Sequence, residues 1–313
     1  MQPSSRWRTH AYGAVLVALC SLFYLVVVAL GYVASITVFA NATVGQYLLL
    51  TVVLGFAGTL TYREIHRPTR LLEELDARRS DGEYADLEAL ATRLANQAAV
   101  ADPELWIAPI EEPNSLTVGY RTPAICLTEG LLERFEDDSD RLEAVLAHEI
   151  AHVSNRDARV MTAVALPGEF LLTVGAVSFV GLSLLGVGGI GVRFAPDWFV
   201  DGYLVPLWLG SFGLLALWIV LTLVFDVVAD AFSRHREFAA DRGAVALTGN
   251  STALVETLRD LEGAQRIPET DLRESDTLGR FCIRPLDEGR PTHPPVEERV
   301  DRLRTVRREL EVS

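Results

Sequence analysis

From Ala11 to Tyr62 the chain carries no ionised residue. So long an uncharged stretch has no place on the surface of a small soluble domain, and it limits what the rest can fold around. The polar interruption Asn41-Ala42-Thr43-Val44-Gly45-Gln46 divides it into apolar spans at 11–40 and 47–61. A bilayer-crossing helix needs about 20 apolar residues, so the pair predicts a transmembrane hairpin. A signal peptide competes, because Arg6 and Arg8 precede the run and Ala40-Asn41-Ala42 resembles a cleavage site. The apolar run is about twice the usual ~7–15 residues of a signal, however, and a second span follows at once. A second uncharged pair, 170–192 and 202–225, is joined by a link holding Arg193, Asp197 and Asp201. Pro167-Gly168 marks a break before it, with Glu169 at the expected membrane interface.

The charge lies between these spans. The net charge is −14, and residues 63–159 alone hold 21 acids against 11 arginines. A phosphate-binding face needs a basic excess, so nucleic acid is excluded as a partner. All 28 basic residues are arginine, with no lysine. Acid excess without lysine resembles proteins of salt-loving archaea, where carboxylates keep the surface hydrated and salt screens their repulsion. Cys20, Cys126 and Cys282 show no motif spacing, which excludes a disulfide scaffold and a cysteine metal knuckle and points to a reducing compartment.

The polar blocks predict mixed α and β structure. Residues 70–99 have helical spacing with a break at Asp81-Gly82, and 105–110, 115–120 and 124–128 predict short strands separated by turns at Pro113 and Pro123. A helix is expected at 130–135. Asp140 with Glu143 forms an acidic capping box opening a long helix through Arg156. Further helices are expected at 230–247, 251–265 and 296–312.

On that long helix stands His148-Glu149-Ile150-Ala151-His152. Histidines at i and i+4 share a helix face, so both imidazoles can reach one metal ion. Glu149 is turned about 100° away, where its carboxylate reaches a water on the metal rather than the metal itself. The arrangement suits a zinc-activated hydrolysis with Glu149 as base. A catalytic zinc needs a third protein ligand. Glu237 and Asp241 share a helix face just after the fourth span, so that one can bind metal while the other orients a ligand histidine.

The run His148 to Asp157, then two spans, then Ser233-Arg234-x-x-Glu237-Phe238-x-Ala240-Asp241, resembles the HtpX-type membrane zinc metalloproteases, relatives of the CAAX prenyl proteases. Ala124–Phe135 resembles the strand–helix lead-in of that family, and Thr292-His293-Pro294-Pro295 with Arg299-Val300-Asp301-Arg302-Leu303 resembles its C-terminal motif. Phe238 departs from it, standing where tyrosine is usual. The resemblance implies one zinc per chain held by His148, His152 and Glu237, with Glu149 as catalytic base. Asp241 and Asp157 are then candidate partners of the ligands. His293, anchored by two prolines, is a candidate for stabilising the oxyanion or occupying the open zinc position, and Asn114 enters a strand on which an extended substrate could pair.

The expected fold is a mainly α membrane protein: four transmembrane helices in two hairpins, plus a zincin-like α+β metalloprotease domain with a small sheet. Its parts are an N-terminal hairpin at 1–62, a first protease part at 63–159, a second hairpin at 160–229 and a second protease part at 230–313. Nine arginines flank the spans on one side (Arg6, Arg8, Arg63, Arg67, Arg70, Arg156, Arg159, Arg234 and Arg236) against Arg193 on the other. The positive-inside rule therefore puts the protease domain and both termini in the cytoplasm, on a multi-pass plasma-membrane protein. The expected function is a membrane-anchored zinc endopeptidase cleaving membrane or misfolded polypeptides in quality control or stress response, with the lipid bilayer as its other partner. The alternatives are a CAAX-type or intramembrane processing protease and a non-catalytic membrane adaptor. Arg141, Glu143, Arg156 and Asp157 around the metal motif argue against a site within the bilayer.

Overall fold

A computed structural model describes residues 58, 70–118, 122–157, 205–263 and 294–312. Apart from residue 58, the first three expected spans, with Glu169 and His293, lie outside them. Among the described residues no helix is long and apolar enough to cross a membrane. Most side chains of the fourth expected span also lie outside the described set.

The chain divides into two compact units, one of residues 1–9, 64–162 and 230–313 and the other of 10–63 and 163–229. The first holds a four-stranded sheet of β1 (Arg78–Arg79), β2 (Glu104–Ala108), β3 (Ser115–Val118) and β4 (Ala124–Thr128). Their order across the sheet is β1-β2-β4-β3; β2 and β4 are parallel, and both outer pairs are antiparallel. The helices are α1 (Ala85–Gln97), α2 (Glu129–Arg134), α3 (Ser139–Asn155), α4 (Val205–Thr248), α5 (Ser251–Gly263) and α6 (Val296–Val312). Alternation along the strands gives the sheet two apolar faces. Leu105, Ile107, Ile125 and Leu127 join the main core with Leu94, Leu146, Ile150, Leu254 and Leu303. On the other face Leu116, Val118 and Cys126 meet Leu71, Leu72 and Leu75.

Several boundaries differ from the expectation for identifiable reasons. The helical pattern over 70–99 is broken twice by left-handed residues, Asp76 (φ 48°) and Asp81 (φ 43°), and β1 forms between them. The cap of α3 is Asp138, not Asp140: its carboxylate accepts the Arg141 N–H at 3.2 Å. Glu143 is drawn across to Arg93 at 3.0 Å instead of closing a capping box. The fourth apolar segment and the helix behind it are one element, α4. Its only proline, Pro206, sits in the first turn, where a missing N–H costs nothing, so nothing breaks it before Gly249 (φ 69°). Asn250 then caps α5, accepting the Ala253 N–H at 3.0 Å. Two close approaches bind the elements: a Cβ at Gly130 would stand 1.8 Å from the Glu111 carbonyl oxygen, and one at Gly243 would stand 2.7 Å from Ala151 Cβ. The second matters for the site, because it seats α4 directly on α3 beside His152.

Candidate metal centre

Glu149, Asp157, Arg236, Glu237, Asp241 and Arg299 are the only buried acids and arginines among the described residues. All six gather around His148 and His152. Four carboxylates against two guanidiniums leave a formal charge of −2 in a dry region if both imidazoles are neutral. A buried charge is costly unless it is paired, and one divalent cation could balance the cluster.

The donors converge accordingly. His148 and His152 lie one turn apart on α3 with their Nε2 atoms 3.1 Å from each other. From α4, Glu237 brings Oε2 to 3.5 Å from His148 Nε2 and Oε1 to 3.7 Å from His152 Nε2. Tetrahedral bonds of about 2.0–2.1 Å place donor atoms about 3.3–3.4 Å apart, so these separations fit a single zinc-sized ion. The three residues form the one metal-capable group of histidines and acids found among the described residues.

The outward ring nitrogens fix the orientation of the inward ones. His148 Nδ1 is 3.1 Å from Asp241 Oδ1, and His152 Nδ1 is 2.5 Å from Asp157 Oδ2. A carboxylate at Nδ1 holds the proton there and turns the Nε2 lone pair toward the metal position. The chain brings Asp157 to His152 by ending α3 at Arg156 in the left-handed conformation (φ 60°, ψ 35°). Asp241 follows Glu237 by one turn of α4 and is held by Arg299 of α6, whose Nε and Nη2 donate to its two oxygens at 2.9 and 2.6 Å. Arg236 Nη2 donates to Glu237 Oε1 at 3.3 Å.

These contacts set the protonation states. Burial alone would lower the pKa of His148, but the Asp241 and Glu237 carboxylates outweigh it and push it up to about 9. Burial also opposes ionisation of Asp241; the Arg299 guanidinium and His148 prevail and hold its carboxyl below the usual range. Metal binding must therefore displace a proton from His148. Cys126, in β4, is pushed up to about 12 by burial and the nearby Glu149 charge, which makes it inert.

Glu149 meets β3. Ser115 Oγ donates to its Oε1 at 2.7 Å, and Thr117 Oγ1 donates to its Oε2 at 2.5 Å. Asn114 is buried, with its side-chain oxygen accepting the Ser115 N–H at 2.9 Å, so its side chain starts β3. Sequence reasoning missed Ser115, Thr117 and Arg236, and met Arg299 only within a motif. Arg299 does carry a signal: it lies on the apolar stripe Val296, Val300, Leu303 and Val306 of α6, where a charge requires a buried partner.

The model of Peptidase family M48 matches residues 82–307. A protease HtpX homolog of Methanopyrus kandleri is 34% identical over 246 residues, 73% of this chain and 70% of that protein. The protease HtpX homolog 2 of Methanosarcina acetivorans is 34% identical, covering 74% of this chain and 76% of its own length. A homolog from Moorella thermoacetica is 36% identical over 74% of this chain and 75% of its own. No solved structure gives a significant match. A metal-capable His, His, Glu group on paired helices lies within the matched residues, and the chain belongs to peptidase family M48, as a protease of HtpX type.

Proposed function

We propose that this protease is a membrane-anchored zinc endopeptidase whose metal is held by His148, His152 and Glu237. The observation that carries the reading is the buried cluster of formal charge −2, in which three donor atoms face one point. Asp241 and Asp157 orient the two histidines. Bound zinc would polarise a peptide carbonyl and bring the pKa of a water toward ~7. Glu149 would serve as the base that accepts a proton from the attacking water and returns it to the leaving amine nitrogen. No nucleophilic side chain is required, and the scissile bond breaks without an acyl-enzyme. The edge strand β3, begun by Asn114, lies beside Glu149 and suits an extended polypeptide substrate paired through main-chain hydrogen bonds.

Membrane anchoring rests on the four uncharged segments and on α4, where Ile219, Val220, Leu223, Val224 and Val227 are exposed along a helical stripe. The proposed arrangement keeps hairpins at 1–62 and 160–229, with both protease parts, 63–159 and 230–313, in the cytoplasm. Membrane or misfolded proteins as substrates, a quality-control role and a high-salt cytoplasm of archaeal type complete the reading, supported by the family resemblance and the composition. His293 is proposed either to stabilise the oxyanion or to occupy the open zinc position in a resting state, tested by cleavage with His293→Ala.

The deciding experiment measures metal content and proteolysis on purified protein. One zinc per chain is expected, with activity lost to chelator and restored by zinc. Glu237→Ala should lose metal, whereas Glu149→Gln should keep it and lose cleavage. Near-normal turnover by Glu149→Gln would remove Glu149 as the base.

A further inference from the structure

Ser115-Leu116-Thr117-Val118 alternates polar and apolar residues, a pattern that places Leu116 and Val118 inside and the hydroxyls in solvent. In the structure all four are buried. Ser115 and Thr117 pair across the sheet with Leu127 and Ile125, both members of the main core. Two hydroxyls thus occupy positions of an apolar face, where an unpaired polar group is costly. What satisfies them is Glu149. One hydroxyl donates to each carboxylate oxygen, at 2.7 and 2.5 Å, and Glu149 itself is 1% exposed.

We propose that Ser115 and Thr117 are positioning residues that hold the Glu149 carboxylate in a single orientation and tie it to the edge strand. The inference rests on the reading of Glu149 as the base. Two donors two residues apart on one rigid strand fix the plane of the carboxylate as well as its place. Each oxygen keeps a second lone pair, so a water can still be engaged. Hydrogen bonds to an ionised acceptor are the stronger kind, and two together leave the side chain little rotamer freedom. Because the donors belong to β3, any shift of that strand against α3 moves the base with it. The pair thereby makes the geometry of proton removal depend on how the edge strand is seated.

The test compares Ser115→Ala, Thr117→Val and Thr117→Ser in the full-length, zinc-loaded protein. Ser115→Ala and Thr117→Val should lower kcat by about 10- to 100-fold, the scale of a misplaced reacting group, with KM and zinc content unchanged. Thr117→Ser, which keeps the hydroxyl, should restore kcat. A second readout needs no activity: Thr117→Val should lower the unfolding midpoint of the metal-free protein. That loss should vanish in a Glu149→Met background, where no carboxylate remains to be served. If Thr117→Val does not fold, Ser115→Ala carries the test through the removal of one oxygen. Unchanged kcat in folded variants, a change in KM alone, or an equal midpoint loss in both backgrounds would overturn the proposal. Should Glu149→Gln be dead while Ser115→Ala and Thr117→Val turn over normally, only the positioning role fails. Should Glu149→Gln itself turn over, the base assignment fails first.

Discussion

Removing Arg299 tests the electrostatic account of the centre most directly. Its guanidinium is 2% exposed, makes two hydrogen bonds to Asp241 at 2.9 and 2.6 Å, and stands 3.8 Å from Glu237. Arg299→Leu fills much of the same volume but adds one uncompensated negative charge to the cluster, from −1 to −2 in the metal-free protein with His148 protonated. Breaking one side of a buried pair costs about 3–5 kcal/mol, a large share of the ~5–15 kcal/mol that holds a typical domain together. Chemical denaturation of metal-free and zinc-loaded protein should show a larger loss without metal, because the cation offsets part of the added negative charge. Zinc affinity should fall about 10- to 100-fold as Asp241 loosens from His148. The double variant Arg299→Leu with Asp241→Leu removes the stranded carboxylate. It should regain most of the stability and none of the metal affinity. A loss below about 1 kcal/mol in the metal-free single variant would refute the reasoning, since that is the range of exposed pairs.

Zinc uptake at pH 7 should release a proton, because His148 in the metal-free protein titrates at about 9 against an ordinary 6.5; titration calorimetry in buffers of different ionisation enthalpy reads the count. By the same shift, the His148 contribution to metal-free stability is complete below about 6.5 and is lost as pH rises through about 9. Gly243→Val should force α4 off Ala151, costing about 1–3 kcal/mol by overpacking and weakening zinc binding, with partial recovery from Ala151→Gly. Arg156→Gly should be neutral or stabilising by up to about 1 kcal/mol with metal retained, whereas Arg156→Val should destabilise and loosen Asp157 from His152; thermal melts with and without zinc distinguish them.

How much of this was legible in sequence follows the range of each interaction. The histidine spacing, the strands at 105–110 and 124–128 and the terminal helix depend on local periodicity, and the structure keeps them within a residue or two. The cap of α3 was misplaced because Glu143 answers Arg93, 50 residues away, and no local pattern announces that. β1 was unreadable for a similar reason: two exposed arginines become a strand only by pairing with Trp106 and Ile107. Ser115 and Thr117 were passed over as ordinary strand residues because their partner lies on another element, 34 and 32 residues further on. Arg299 is the instructive middle case, since its place on an apolar stripe required a buried acid but could not say which one.

The metal-capable group and its partners come from two separate stretches of chain, and this sets an order in time. His148, Glu149 and His152 are synthesised first, then the intervening residues 160–229, and only then Glu237, Asp241 and Arg299. Eighty-five residues separate His152 from Glu237 and 147 separate it from Arg299. At about 5–20 residues per second, the third donor follows the second by roughly 4–17 seconds and the Asp241 clamp closes roughly 7–30 seconds after His152 appears. Throughout that interval the nascent chain holds His148, Glu149 and His152 but not the third residue of the metal-capable group. On the proposed reading, hydrolytic competence therefore waits for the residues that follow position 229, and the ribosome itself acts as the delay that a cleavable pro-segment provides elsewhere.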